Sequence, residues 1–123
     1  MRLLTLGSFD LKHRGHQKLF DRCAALGQLT VAVNSDRFIR AYKTVEPAEN
    51  QDVRMMNVAR SPGVAAVVLN DGPGVKVIKR LKPDMIVVGS DWHLADYCKQ
   101  LGVDEDWLFD TLMATMSCES VPE

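Results

Sequence analysis

The stretch LLTLGSFDLKHRGHQKLF, residues 3–20, contains the three segments that decide the fold. Its first four residues form a mostly apolar run, typical of a short strand buried on both faces of a parallel sheet. The segment GSFDLKHRGH, residues 7–16, follows directly and leads into a helical pattern over residues 17–26, which Gly27 ends. The stretch therefore predicts a strand, a polar turn and a helix.

The same alternation continues along the chain. Further apolar runs cover residues 29–33, 64–69 and 85–88, and helical patterns cover residues 36–42, 51–60 and 75–81. Strands that alternate with helices through short connections indicate a mostly parallel sheet with right-handed crossovers. We therefore expect an α/β fold, a single Rossmann-like three-layer domain over residues 1–123. No fifth strand is assigned, because residues 107–113 fit a helix as well as a strand.

Composition excludes several classes of protein. The chain has 123 residues, 46% of them hydrophobic and 25% charged, which is typical of one globular domain. A formal net charge of −1 argues against a protein that mainly grips a nucleic-acid backbone. No apolar run approaches the roughly 20 residues of a membrane span. The N-terminus is strand-like rather than signal-like, so we expect a cytoplasmic protein that acts on neither membranes nor nucleic acid.

Sulfur-containing side chains are expected to be structural. The cysteines, Cys23, Cys98 and Cys118, are odd in number and widely spaced, so they suggest buried or incidental thiols rather than a disulfide framework or a metal site. Met55 and Met56 are expected in the core.

Two polar turns are predicted to lie at one edge of the sheet. GSFDLKHRGH follows strand one, and GSDW, residues 89–92, follows strand four. Ligands of parallel α/β sheets bind at the carboxyl ends of the strands. The helix after the first turn begins near residues 13–16, so its unpaired amides and positive dipole end face that edge. Phosphate is the natural ligand of such a site.

The side chains of the first turn suit an anion. His13 and His16, three residues apart, can project from one helix face as paired donors, and Ser8 adds a hydroxyl. Gly7 permits a tight exit from the strand, and Gly15 leaves room for a group to approach the backbone. Neither GxGxxG nor GxxxxGK[ST] occurs, so the common nucleotide motifs do not apply.

These residues resemble a known signature. GSFDLKHRGH is similar to (T/S)xGxFDxxHxGH, which marks the cytidylyltransferase-like nucleotidyltransferase superfamily, a group that includes glycerol-3-phosphate cytidylyltransferases and the adenylyltransferase domains that form ADP-heptose. The resemblance continues through LFDRCAALG, LTVAVNSDRF and LKPDMIVVGSDW, and covers roughly residues 2–92. It implies transfer of a CMP or AMP group from CTP or ATP to a phosphorylated small molecule such as glycerol 3-phosphate or a sugar phosphate, with pyrophosphate released.

The resemblance also implies roles for individual residues. His13 and His16 match the signature histidines that contact the triphosphate, and Lys43 resembles a lysine that approaches the phosphates, with Arg40 as a second candidate for that role. Magnesium would bridge the phosphates, no metal site is built by the protein itself, and a homodimer is expected. The residues implied to bind the nucleotide are Gly7, Ser8, Phe9, Asp10, Gly15, Arg54, Asp91, Trp92 and Ser117.

The C-terminal part departs from the family pattern. Relatives often carry an R(T/S)xGISST-like segment that caps the triphosphate, whereas this chain has MSCES at residues 116–120 and no arginine shortly before it. Pro62 also stands where relatives carry a basic residue. The GSDW end resembles the cytidylyltransferase branch and favours CTP, while VAVNSD and LKPD are similar to the adenylyltransferases.

Two alternatives remain open at this point. A nonenzymatic nucleotide sensor could retain the signature without turnover, and tight binding without pyrophosphate release would identify it. A metal-dependent hydrolase could use His13, His16 and Asp10 or Asp91 as zinc ligands, although the sequence defines no third-ligand spacing and gives Gly15 no role in such a site.

Overall fold

Parallel strands and the helices between them form the fold. The computed structural model describes residues 1–43, 45–88 and 115–117. The elements in chain order are β1 (Arg2–Gly7), α1 (Arg14–Leu26), β2 (Gln28–Asn34), α2 (Asp36–Lys43), α3 (Gln51–Ala59), β3 (Val64–Asn70), α4 (Val75–Leu81), β4 (Met85–Val88) and β5 (Thr115–Ser117).

The sheet of the described residues has the order β3-β2-β1-β4-β5, and every neighbouring pair is parallel. The predicted Rossmann-like α/β fold is confirmed. All strands end along one side of the sheet, which we call the carboxyl edge. After β3 the chain returns to the other side of β1, so the strand order reverses beside β1. Ligand sites of such sheets lie at this reversal, which is where α1 begins.

Apolar side chains cover both faces of the central strands. Leu3 and Leu4 point to opposite faces of β1, and both are buried. One core cluster combines strand residues such as Leu29 and Val31 with Phe20 of α1. The predicted burial of Cys23 is confirmed, while Cys98 and Cys118 lie outside the described residues.

Helix ends follow local capping groups. Helix α2 follows Ser35, whose hydroxyl accepts a hydrogen bond from Phe38 N–H at 3.0 Å, as expected for an N-cap. Helix α3 is capped by Asn50, whose side chain accepts from Val53 N–H at 2.9 Å. The expected burial of Met56 is wrong, because this residue is 50% exposed. Met55 packs on the core, and Met56, one position further along α3, faces away from the sheet.

Strand β5 was not predicted from the sequence. It contains three residues, TMS, and therefore lacks the apolar run that marks the other strands. Residues 107–113, which fit a helix as well as a strand, lie outside the described residues. Among the helices that are described, none is long and apolar enough to cross a membrane.

Candidate functional site

The turn between β1 and α1 has an unusual backbone. Phe9 and Leu11 adopt φ values of 50° and 49°, the left-handed region that non-glycine residues rarely enter. The Phe9 ring is buried and lies so close to Gly7 that a Cβ at residue 7 would come within 3.0 Å of ring atom Cε2. The close approach of the ring therefore favours glycine at residue 7, whereas the left-handed φ values of the turn belong to Phe9 and Leu11.

Two histidines cap the start of α1. His13 Nδ1 accepts from Gly15 N–H at 3.0 Å, and His13 N–H donates to His16 Nδ1 at 3.2 Å. The two rings stack with their centroids 3.8 Å apart, and the Phe9 ring meets His16 edge-on at 5.3 Å. This reciprocal arrangement is a capping box, in which side chains satisfy amides that a helix start leaves unpaired. It stabilises the start of α1 at Arg14, which lies within the predicted residues 13–16 and three residues before the apolar helical pattern.

The capping box determines which histidine nitrogen donates. A neutral imidazole that accepts a hydrogen bond at Nδ1 carries its proton on Nε2. Both His13 and His16 accept at Nδ1, so Nε2–H is the donor of each ring. The structure therefore brings two imidazole donors together at the positive end of the α1 dipole, an arrangement suited to an anion.

Asp10 and Glu49 connect this turn to the segment before α3. The Asp10 carboxylate accepts from Ala48 N–H at 2.7 Å and Glu49 N–H at 2.9 Å. In return, Glu49 Oε1 accepts from Leu11 N–H at 2.8 Å. Each acidic side chain thus satisfies backbone amides of the other segment, and two loops far apart in sequence are held in one arrangement.

Arg54 lies below the turn and is completely buried. Its Nη1 donates to the carbonyl oxygens of Ser8 at 2.8 Å and Asn34 at 2.7 Å, which lie at the carboxyl ends of β1 and β2. Its Nε donates to Glu49 O at 3.0 Å, and its Nη2 donates to Asp36 Oδ1 at 2.6 Å. In this structure the guanidinium joins four parts of the protein, and the implied contact with a nucleotide stays a prediction.

Asp36 is the charged partner of this buried arginine. Partial burial raises the pKa of the Asp36 carboxyl, but the hydrogen bonds from Arg54 and from Gln51 N–H outweigh that effect, and the charges of Arg54 and Arg40 add to them. The pKa of Asp36 therefore lies below its ordinary value. An ionised Asp36 is the form that pairs with Arg54.

A chain of polar side chains leads from the sheet to Lys43. Asn70 Nδ2 donates to Asn34 Oδ1 at 2.9 Å, and Asn34 Nδ2 donates to the Tyr42 hydroxyl at 3.1 Å. The Tyr42 and Ser8 hydroxyls are 3.5 Å apart. Lys43 Nζ lies 3.4 Å from Ser8 Oγ and 5.5 Å from the centre of the Tyr42 ring. Lys43, which the resemblance places near the phosphates, is thus held beside the turn that carries the histidines.

The other predicted residues differ in where the structure places them. Arg40 is paired with Glu46 at 3.2 Å. Asp91 and Trp92 lie outside the described residues, so GSDW stays a prediction. Ser117 ends β5 opposite Val88, which places its backbone at the carboxyl edge. The remaining implied roles in nucleotide binding stay predictions for Gly7, Ser8, Phe9, Asp10, Gly15 and Ser117.

Sequence reasoning missed four residues that shape the site. Asn34 and Asn70 each end a strand and pair in register, and a signal existed, because VAVN and VVLN both close an apolar run with asparagine. Tyr42 and Glu49 gave no local signal for the site, since their partners in the turn after β1, Ser8 and Leu11, lie 34 and 38 residues away in sequence.

The cytidylyltransferase-like family model matches residues 4–112 of this chain. The chain belongs to the cytidylyltransferase-like family. It is 32% identical over 117 residues to an FAD synthase of Korarchaeum cryptofilum, an alignment covering 91% of this chain and 73% of that protein.

A second relative of this cytidylyltransferase-like protein is far longer. The bifunctional protein HldE of Gluconobacter oxydans is 37% identical over 93 residues, which is 73% of this chain but 19% of the HldE protein. A crystal structure of the lipopolysaccharide core biosynthesis protein from Thermoplasma volcanium superposes with a TM-score of 0.74 at 23% identity, covering 100% of this chain and 97% of that one. The structural neighbour supports the fold, and the family match with its relatives makes this protein a nucleotidyltransferase.

Proposed function

We propose that this nucleotidyltransferase transfers a CMP or AMP group from CTP or ATP to a phosphorylated small molecule and releases pyrophosphate. The paired Nε2–H donors of His13 and His16 at the start of α1 carry the proposal, because they supply preorganised donors where a triphosphate would bind. Lys43, held against Ser8, adds a positive charge to the same turn.

The proposed reaction is an in-line displacement. A phosphate oxygen of the acceptor forms a bond to the α-phosphorus of the nucleotide. The bond from that phosphorus to the bridging oxygen breaks, and pyrophosphate leaves with the electron pair. No covalent enzyme intermediate is required, so the protein contributes positioning and charge stabilisation. His13 and His16 would donate to oxygens on which negative charge develops, and Lys43 would bind the phosphates.

Magnesium belongs to this proposal as a partner of the triphosphate. Within the described ranges, no three His, Cys, Asp or Glu side chains come together in a way that could hold a metal ion. Asp10 in particular is engaged by the amides of Ala48 and Glu49. This donor set suits an ion coordinated chiefly by phosphate oxygens and water. When bound, magnesium would neutralise phosphate charge and favour departure of pyrophosphate.

The relatives guide the choice of base and acceptor. Resemblance to glycerol-3-phosphate cytidylyltransferases favours CTP, whereas the FAD synthase relative favours ATP and brings flavin mononucleotide among the candidate acceptors. Glycerol 3-phosphate and sugar phosphates are the other candidates. A homodimer and a cytoplasmic location, where nucleoside triphosphates are abundant, complete the proposal.

A pyrophosphate-release assay tests it. The protein is incubated with magnesium, with CTP or ATP, and with glycerol 3-phosphate, sugar phosphates or flavin mononucleotide in parallel. Release that requires one nucleotide and one acceptor, and that is lost in the His13→Ala variant, supports the proposal. Tight nucleotide binding by calorimetry without release from any mixture would indicate a sensor. Zinc-dependent phosphate release without pyrophosphate would indicate a hydrolase.

A further inference from the structure

Leu11 sits in a strained conformation that its own packing does not explain. Its φ is 49°, and the residue is 62% exposed, so burial of the leucine does not hold the backbone in the left-handed region. Its N–H donates to Glu49 Oε1 at 2.8 Å. A charge-assisted hydrogen bond of this length is a strong local restraint. The conformation of Leu11 is therefore set from another segment of the chain.

Glu49 is itself held in place from three directions. Its Oε2 accepts from Asn57 Nδ2 of α3 at 3.2 Å, and its N–H donates to Asp10 Oδ1 at 2.9 Å. Its carbonyl oxygen accepts from Nε of the buried Arg54 at 3.0 Å. A carboxylate with a fixed backbone and a second side-chain bond is a preorganised acceptor, able to impose geometry on the turn.

Leu11 is only two residues before His13, the N-cap of α1. The backbone conformation at Leu11 therefore determines the positions of the His13 and His16 rings. We propose that Glu49 is a positioning residue of the active site, whose carboxylate fixes the left-handed Leu11 and thereby places the paired histidine donors. Glu49 acts through the backbone and makes no contact with substrate in this role.

The inference rests on the proposed function for its effect on turnover, but not for its structural part. Three variants test it: Glu49→Ala removes the acceptor, Glu49→Gln retains an oxygen for Leu11, and Glu49→Ala combined with Leu11→Gly replaces the strained leucine by a residue that tolerates positive φ. Asp52→Ala, an exposed acidic residue in the first turn of α3, is the matched control. Each is measured by thermal unfolding, kcat and KM, amide exchange at residue 11, and imidazole nitrogen chemical shifts.

Glu49→Ala is expected to lower kcat by about tenfold or more with a smaller change in KM, because small misplacements of catalytic groups mainly affect the transition state. Protection of the residue 11 amide is lost, and the His13 Nδ1 signal shifts. Glu49→Gln retains most of the protection and activity. The Leu11→Gly change restores part of kcat to Glu49→Ala, whereas Asp52→Ala behaves like the wild type.

Other results would overturn the inference. An unchanged residue 11 amide and unchanged histidine signals in Glu49→Ala would show that the carboxylate does not set the turn. Glu49→Ala could also lower stability and kcat together, with no recovery in Glu49→Gln or on adding Leu11→Gly. Glu49 would then be a general structural residue and not a positioning residue. If the wild-type protein turned over no nucleotide at all, the proposed function would fail, while the exchange and imidazole signals would still decide the role of Glu49.

Discussion

Two arginines hold opposite ends of the sheet, and they differ in burial. At the amino edge, where the strands begin, exposed Arg2 donates from Nη1 to Leu81 O at 3.0 Å and from Nη2 to Lys82 O. At the carboxyl edge, Arg54 is 0% exposed and makes four hydrogen bonds, three to carbonyl oxygens and one to Asp36. Arg2 thus closes the C-terminal end of α4, whereas Arg54 holds together the segments that form the candidate site.

The burial of each arginine determines how much it contributes to the stability of the fold. Bonds to an exposed guanidinium compete with water, so their net contribution is small. A buried guanidinium has lost its water, and each of its partners would be left unpaired without it. The carboxyl edge must also keep a strained turn in shape beside a site for an anion. Arg54, which is buried and hydrogen-bonded to four acceptors, provides that rigidity at the carboxyl edge. Arg2 at the amino edge only closes a helix end.

Replacing Arg54 by methionine should give the largest effect. The variant keeps the volume but leaves Asp36 and three carbonyl oxygens without their partner, which costs about 3–5 kcal/mol for a broken buried pair. We expect a large fall in the free energy of unfolding by urea, with activity lost as the turn relaxes.

Arg54→Lys is the matched control for that variant. Lysine restores the positive charge, but its ammonium group cannot reach the four acceptors that the planar guanidinium reaches. The stability of Arg54→Lys should therefore lie between those of Arg54→Met and the wild type. Equal stability of the lysine variant and the wild type would show that charge alone matters at this position.

Changing either capping histidine should reduce turnover more than stability. His13→Ala or His16→Ala removes one preorganised donor, and we expect pyrophosphate release to fall roughly 10²-fold, about 2.7 kcal/mol of transition-state stabilisation. His13→Asn separates the two roles, because asparagine is a good N-cap without an imidazole. It should recover the stability lost by His13→Ala while release stays low. Full activity in His13→Asn would remove the His13 ring from the mechanism.

The sequence predicts the sheet better than the details of the site. Apolar runs and glycine or proline breaks located the first four strands and the helices between them, because burial on both faces leaves a local pattern. The turn at residues 7–16 was also located, since its residues are contiguous. Strand β5 was missed because three residues carry too short a pattern to recognise.

Contacts between distant segments explain the rest. The family resemblance implies that Arg54 contacts the nucleotide, but the sequence does not reveal that its guanidinium is buried among Ser8, Asn34, Glu49 and Asp36. Glu49 and Tyr42 each contact a residue of the turn after β1 that lies more than thirty positions away, which no local spacing displays. Met56 shows the opposite error, since an apolar residue on a helix need not face the core.

Acid should weaken the carboxyl edge through Asp36. Its pKa in the folded protein lies below the ordinary value. Its contribution to stability is therefore complete above about pH 4 and is lost as the pH falls through the folded-state value. Asp36→Asn should be less stable than the wild type at neutral pH, and the difference should shrink on acidification in urea titrations at stepwise lower pH. Asp52→Asn, at an exposed position, controls for removal of one carboxylate. A difference that stays constant with pH would contradict the pairing.

Arg2→Ala should give the smallest effect and so completes the comparison between the two arginines. It removes hydrogen bonds to Leu81 O, at the end of α4, and to the carbonyl oxygen of Lys82, the residue that follows α4 in a left-handed conformation with φ 48°. Because the backbone bond from Arg2 N–H to Asp84 Oδ2 at 2.8 Å does not need the side chain, the edge keeps part of its closure. We expect a loss of less than about 1 kcal/mol in urea unfolding and unchanged pyrophosphate release. A loss as large as that of Arg54→Met would mean that burial does not distinguish the two arginines, and that the amino edge limits stability as much as the site does.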